Sequence, residues 1–227
     1  MRLIIPRWIF FIGAAIVIAF VLLYYIVGIP YLPTGPTYRL ENVKVMIVLF
    51  ENYQPRELHP VLKALDREGA TIYILAVNKS VGASIEYHMY IMDIVDKFEL
   101  YADTCDAIVI IGGKGVYDRV VGIIEDPGVE LVGRLCSKFR EKGKLVAAIC
   151  AAPAILAKAG ILKGVRATCF PSSELVEILR AHGAIYVDMN ADVVIDDGIM
   201  TAVGPDVADK FAEAIVEYLV EQKTKTG

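Results

Sequence analysis

Histidine occurs only three times in the 227 residues, at His59, His88 and His182, which are well separated and near no cluster of acidic or cysteine residues. A metal centre therefore has no evident ligand set to draw on. The four cysteines never stand in C-x-x-C spacing, which removes the usual zinc-ribbon and dithiol motifs. No basic run or basic-aromatic stripe is present, and the formal net charge is −4. Nucleic acid is accordingly excluded as a partner. Gly112-Gly113-Lys114-Gly115 is the one glycine-rich run, and it lacks both the spacing and the closing Lys-Ser/Thr of a phosphate loop. No cofactor is expected. Internal repeats and low-complexity tracts are also missing.

Apolar sequence, by contrast, is abundant: 56% of residues are hydrophobic and the mean hydropathy is +0.53. The excess is concentrated at one end. Residues 1–7 form a basic flank with Arg2 and Arg7, and from Trp8 to Pro30 no charged residue occurs. At 1.5 Å per residue this stretch gives about 34 Å of helix, enough to cross a bilayer. Trp8, Tyr24, Tyr25 and Tyr31 supply aromatic anchors near its ends. A cleavable signal peptide would have a shorter apolar core and a better small-residue cleavage site than Val27-Gly-Ile-Pro-Tyr. Residues 8–30 are thus predicted to be one transmembrane anchor helix. The positive flank predicts a cytoplasmic N-terminus, with the domain that follows on the outer side. Residues 31–41 hold Pro33, Pro36 and Gly35, the composition of a stiff linker.

Residues 42–222 are read as one domain, followed by a polar tail at 223–227. Apolar strand runs alternate with helical patterns: strands at Val43–Leu49, Thr71–Val77, Ala107–Ile111, Leu145–Ile149 and Val165–Cys169, and helices at Arg56–Glu68, Val129–Glu141, Ala151–Ala159 and Ser172–Arg180. A hairpin turning at Asp197-Gly198 precedes a last helix that opens at Gly204-Pro205 and runs to about Val220. This alternation implies a mostly parallel sheet sandwiched between helices, with ligands bound at the carboxyl ends of the strands. The loops at Phe50–Arg56, Gly112–Gly115, Cys150 and Cys169–Pro171 should converge on that rim.

Cys150 lies where the buried strand Leu145–Ile149 meets the helical run after it. A nucleophile at such a strand-to-helix bend has backbone N–H groups pointing toward it, and the helix dipole favours its thiolate. Ala151 and Ala152 are small enough for the bend to close, and Pro153 suits an early helical position. On spacing alone, a small buried structural cysteine fits equally well.

The motifs together carry a family resemblance. Ala147-Ala-Ile-Cys150-Ala-Ala-Pro, Asp106-Ala-Ile-Val-Ile-Ile-Gly-Gly and Ala167-Thr-Cys-Phe-Pro, with Gly204-Pro205, resemble the ThiJ/PfpI superfamily from Val43 to about Leu219. The resemblance implies a flavodoxin-like three-layer α/β/α sandwich, the glutamine amidotransferase-like fold, with a nucleophile elbow and a homodimeric assembly. It also implies a glutamate after the first strand that hydrogen-bonds the cysteine. Glu51 and Glu57 are the candidates, and Glu57, twelve positions before Gly69, keeps the family spacing.

Catalytic Cys150 and Glu57 are then expected, with Gly113 and Ala151 as oxyanion donors and Gly112, Cys169 and Phe170 as accessory residues. Ala151 stands where peptidase-like members carry histidine, which disfavours a Cys-His peptidase. The resemblance to the deglycase branch implies a hydrolase or lyase acting on small reactive carbonyls or their adducts. A non-enzymatic redox sensor using Cys150 oxidation needs the same acidic thiol and stays open beside it.

Overall fold

The computed structural model describes residues 38–188 and 191–226. The predicted anchor at 8–30 and most of the linker at 31–41 lie outside the described residues. Among the described residues, no helix is long and apolar enough to cross a membrane.

Among the described residues, nine strands and seven α-helices follow the predicted alternation. They are β1 Lys44–Leu49, α1 Pro55–Arg67, β2 Thr71–Ala76, β3 Met89–Tyr90, α2 Phe98–Thr104, β4 Ala107–Ile110, α3 Lys114–Val120, α4 Gly128–Glu141, β5 Leu145–Ile149, α5 Pro153–Lys158, β6 Arg166–Ala167, α6 Ser173–Ala181, β7 Ile185–Tyr186, β8 Val193–Asp196, β9 Ile199–Ala202 and α7 Ala208–Thr226. The principal sheet has the order β3-β2-β1-β4-β5-β9-β8. Only β8 runs antiparallel, joined to β9 by the hairpin.

Unbroken apolar sequence makes β1, β4 and β5 central strands, because a parallel strand in this position is covered on both faces. Alternate residues divide between two cores. Met46, Val48, Ile108, Ile110, Val146 and Ala148 pack with Leu135 and Phe139 of α4 and Leu175 and Leu179 of α6. Val45, Ile47, Val109, Ala147 and Ile149 pack with Leu58, Val61 and Leu65 of α1 and Phe211, Ile215 and Leu219 of α7. The result is three layers.

Three elements differ from the sequence expectation. The run Val165–Cys169 does not join the principal sheet; only Arg166 and Ala167 form a strand, paired with β7 in a small separate sheet. With two residues, β6 ends before the Thr168–Pro171 segment turns toward the sheet's rim. The helix expected from Ala151 begins at Pro153 and has six residues, since Ala151 and Ala152 are spent in the turn itself. The last helix begins at Ala208, after a 3₁₀ turn at Pro205–Val207, and continues to Thr226, so most of the expected polar tail is helical.

One buried charge cluster ties the loop after β1 to its neighbours. Arg119 of α3 is 8% exposed and lies 2.6 Å from Glu51 Oε1 and 2.6 Å from Asp126 Oδ2, while also donating to Gly115 O at 2.8 Å. Its guanidinium sits over the Phe50 ring. Replacing Arg119 by Met would leave Glu51 and Asp126 without their cation. Loss of one partner of a buried ion pair costs about 3–5 kcal/mol, the lower end applying here because Asp126 is partly exposed. The expected outcome is a lower urea midpoint for Arg119→Met than for an Arg140→Met control at the half-exposed pair with Asp197; equal midpoints would refute the assignment.

Candidate functional site

Cys150 stands at the carboxyl end of β5 with φ 66°, a left-handed conformation that a non-glycine residue adopts only under constraint. The constraint is visible on both sides of the residue. Its N–H donates to Ala202 O at 2.9 Å, and its carbonyl accepts from Phe170 N at 2.9 Å. The elbow is thereby fastened to β9 and to the segment after β6. Small neighbours are required: a Cβ on Gly112 would lie 2.7 Å from Cys150 Cβ and 2.9 Å from Glu57 Oε2.

Glu57, in the first turn of α1, is fully buried. Gly112 N donates to its Oε2 at 3.0 Å, whereas Oε1 is buried without a hydrogen-bond partner. The carboxyl faces the Cys150 thiol. Glu51 has a different role, pairing with Arg119 and accepting from Asn78. The structure therefore brings Glu57 to the cysteine and keeps Glu51 away.

Electrostatics couple the pair. Burial pushes the Glu57 carboxyl up to about 7 against the pull of Cys150 and Gly112. Burial also pushes the Cys150 thiol up, and the Glu57 charge adds to it, while the N–H groups of Ala151 and Gly113 stabilise the thiolate. Two anions in contact beside a buried carboxyl are strongly disfavoured, so the pair carries no more than one negative charge near neutral pH. When Glu57 holds the proton, its charge no longer opposes ionisation of the thiol. With only six residues, α5 has a small dipole; the two aimed amides are the principal favourable feature for the sulfur.

Gly113, at φ 127°, reaches this position because its missing side chain admits the backbone of Asn52–Gln54. Gln54 N donates to Gly112 O, and Lys114 N donates to Asn52 O, each at 3.0 Å, so the loops after β1 and β4 hold each other.

Cys150 is half-buried, whereas Cys105, Cys136 and Cys169 are buried and all four are free. Cys169 lies beneath the site and does not line its cavity; Phe170, 44% exposed, does. That cavity has a volume of about 470 Å³ and also meets Tyr117, Asp118, Ile123, Leu175 and Pro205. These five residues escape a reading of strand ends, because α3 is a seven-residue helix containing Gly115 and the others come from separate elements. The Lys114/Asp118 spacing of i,i+4 was the available signal, and the two are joined at 2.6 Å. Among the described residues, no group of three or more His, Cys, Asp or Glu side chains is arranged to hold a metal ion.

Residues 43–218 match the DJ-1/PfpI family. The chain belongs to that family. An uncharacterized protein of Methanocaldococcus jannaschii is 32% identical over 79% of this chain and 84% of its own length. A Thermococcus kodakarensis protein named as a deglycase is 30% identical over 68% of this chain and 86% of its own. The crystal structure of Drosophila melanogaster DJ-1beta aligns with a TM-score of 0.63 and 28% identity, covering 81% of this chain and 96% of that one. Membership in the DJ-1/PfpI family thus rests on both sequence and fold.

Replacing Glu57 by Gln tests the coupling. A carboxyl raised from 4.5 to about 7 contributes stability that is complete below the lower value and is lost as pH rises to the upper. Wild-type protein should therefore lose roughly 3 kcal/mol relative to Glu57→Gln across that window and stay level above it. Urea denaturation at a series of pH values reads this. In parallel, the pH–rate profile of Cys150 alkylation should shift to lower pH in Glu57→Gln and not in Glu51→Gln. An unchanged profile in Glu57→Gln contradicts the coupling.

Proposed function

We propose that this DJ-1/PfpI protein is a cysteine-dependent enzyme acting on α-oxoaldehydes or their adducts, in the manner of a glyoxalase or deglycase. The observation that carries this reading is the left-handed Cys150 elbow facing the fully buried Glu57 carboxyl, which burial pushes up to about 7, and opening onto a cavity. The deglycase name of the Thermococcus relative agrees with it.

The chemistry follows from the contacts. The Cys150 sulfur adds to the aldehyde carbon, forming an S–C bond as the carbonyl π electrons move to oxygen. The N–H groups of Gly113 and Ala151, already directed at the sulfur, are placed to stabilise that oxyanion. The thiol proton passes through Glu57 to the oxygen, giving a hemithioacetal. Glu57, now a carboxylate, removes the hydrogen on the former aldehyde carbon as a proton and returns one to the neighbouring carbon, while the hydroxyl proton moves to the neighbouring oxygen, which converts the hemithioacetal into a thioester. Water then hydrolyses the thioester, releasing a 2-hydroxy acid and restoring the thiol. The net change is addition of water to the α-oxoaldehyde, with no external oxidant or reductant. For an adduct, the C–N or C–S bond at that carbon breaks first as its hydroxyl proton passes to the departing amine or thiol, which regenerates the aldehyde for the same attack.

The purified protein is expected to turn over methylglyoxal to lactate. Cys150→Ser should abolish this, and Glu57→Gln should lower kcat by roughly 10²–10⁴-fold, the usual contribution of a general acid-base group. Wild-type protein that leaves methylglyoxal untouched while Cys150 accumulates as sulfinate would favour the sensor reading instead.

The cellular setting proposed is a single-pass membrane protein, anchored through residues 8–30 and working as a homodimer with its domain on the outer side. The support is the uncharged span behind Arg2 and Arg7. Protease added to right-side-out vesicles should then digest the domain; full protection in sealed vesicles would reverse the orientation.

A further inference from the structure

The cavity in front of Cys150 is much roomier than a three-carbon aldehyde requires. Its volume of about 470 Å³ falls in the range of pockets that hold drug-sized ligands. Its walls also discriminate by polarity. Phe170, Ile123, Leu175 and Pro205 give it apolar sides. Phe170 and Ile123 remain 44% and 68% exposed, so apolar surface is left open to solvent beside the nucleophile. The charged residues are already engaged. Lys114 Nζ lies 2.7 and 2.6 Å from the two Asp118 carboxylate oxygens, and Glu57 faces the sulfur from its buried position. Among the described residues lining the cavity, no unpaired cation is present to receive an anionic substrate.

Phe170 is fixed where it can read the substrate. Its backbone N–H is the donor to the Cys150 carbonyl, so the side chain starts one hydrogen bond from the elbow. Its ring lies against Gly204, where an added Cβ would meet Cδ2 at 3.3 Å. The backbone contact and the glycine together hold an aromatic face at the cavity's edge.

We propose that Phe170 is a specificity-determining residue and that the site selects uncharged α-oxoaldehydes bearing an aryl or branched-alkyl group. The apolar group lies against Phe170, Ile123 and Leu175 while the aldehyde carbon meets the Cys150 sulfur. Small and carboxylate-bearing aldehydes are the poorer substrates. This selection rests on the carbonyl chemistry proposed above, and deepens it by naming the substrate class.

The test compares phenylglyoxal, methylglyoxal and the carboxylate-bearing α-oxoaldehyde 4,5-dioxopentanoate with the purified protein, using kcat/KM. Filling an apolar pocket discriminates by roughly 10- to 200-fold, so phenylglyoxal should exceed methylglyoxal by about tenfold or more, with 4,5-dioxopentanoate below both. Phe170→Ser should cut the phenylglyoxal-to-methylglyoxal ratio by about tenfold or more, and Phe170→Leu should restore most of it. Equal substrate ratios in wild type and Phe170→Ser would overturn the proposal.

A second readout works without turnover. Cys150 is alkylated with 2-chloro-N-phenylacetamide and with 2-chloroacetamide, each rate being divided by that of free glutathione. A phenyl preference that disappears in Phe170→Ser and survives in Phe170→Leu supports the apolar site even if no aldehyde is consumed, in which case the proposed reaction alone fails. No phenyl preference in the wild type, with Cys150 labelled by both reagents, refutes the site itself.

Discussion

A buried carboxyl and a half-buried thiol stand against each other, and only one of them can comfortably be charged. That constraint governs the surrounding design. Glu57 is fully buried, accepts a single amide hydrogen bond from Gly112 and turns to the Cys150 thiol. Were either group moved outward, water would solvate both charges and the proton would no longer be held in common. Three strands are needed to build the arrangement. The loop after β1 and the start of α1 bring Glu57, the end of β4 brings Gly112 and Gly113, and the end of β5 brings Cys150.

The topology explains why these three ends meet. From β1 the chain moves outward to β2 and β3, then returns across the sheet to β4 and β5 on the other side of β1. The reversal leaves a crevice between the loops after β1 and β4, the place where open α/β sheets bind ligands. In this chain the two loops are laced across the crevice by Gln54 N to Gly112 O and Lys114 N to Asn52 O. Glycine at 112 and 113 is what permits so close an approach, because side chains there would strike Cys150, Glu57 and the Asn52–Gln54 backbone. The same lacing aims the Gly113 amide at the sulfur, so a tight loop contact becomes part of the thiolate's environment.

Most of this framework was legible in the sequence because its signals are local. Apolar runs bounded by turn residues identify β1, β4 and β5, and the loops that follow them must share a rim. Glu57 could be favoured over Glu51 only through the family spacing, since periodicity alone does not say which glutamate is buried beside Cys150. Phe170 was recognised as a rim residue, but its apolar setting was not, because Ile123 and Pro205 approach from distant segments and Leu175 from the helix that follows. The short α3 escaped detection since Gly115 weakens a helical pattern; here glycine is demanded by the Glu51 carbonyl, which occupies the place of its Cβ. The two-residue β6 was overestimated because Val165, Ala167, Thr168 and Cys169 are buried around an exposed Arg166, and burial does not by itself imply pairing within the sheet.

The site's strained features can persist only because the rest of the fold overdetermines them. A left-handed Cys150 costs roughly 1–3 kcal/mol, and desolvating Glu57 adds a penalty of similar order. Neither has local compensation. Ala151 and Ala152 add little side-chain packing, and α5 is too short to anchor the elbow by itself. The opposing stability comes from β5, buried on both faces by two separate cores, and from β9, whose Ala202 carbonyl grips the Cys150 amide. The elbow is therefore clamped from the sheet below and from Phe170 at its side. Relaxing to an ordinary conformation would break both hydrogen bonds at once, so the sheet and the apolar rim hold the nucleophile in place together.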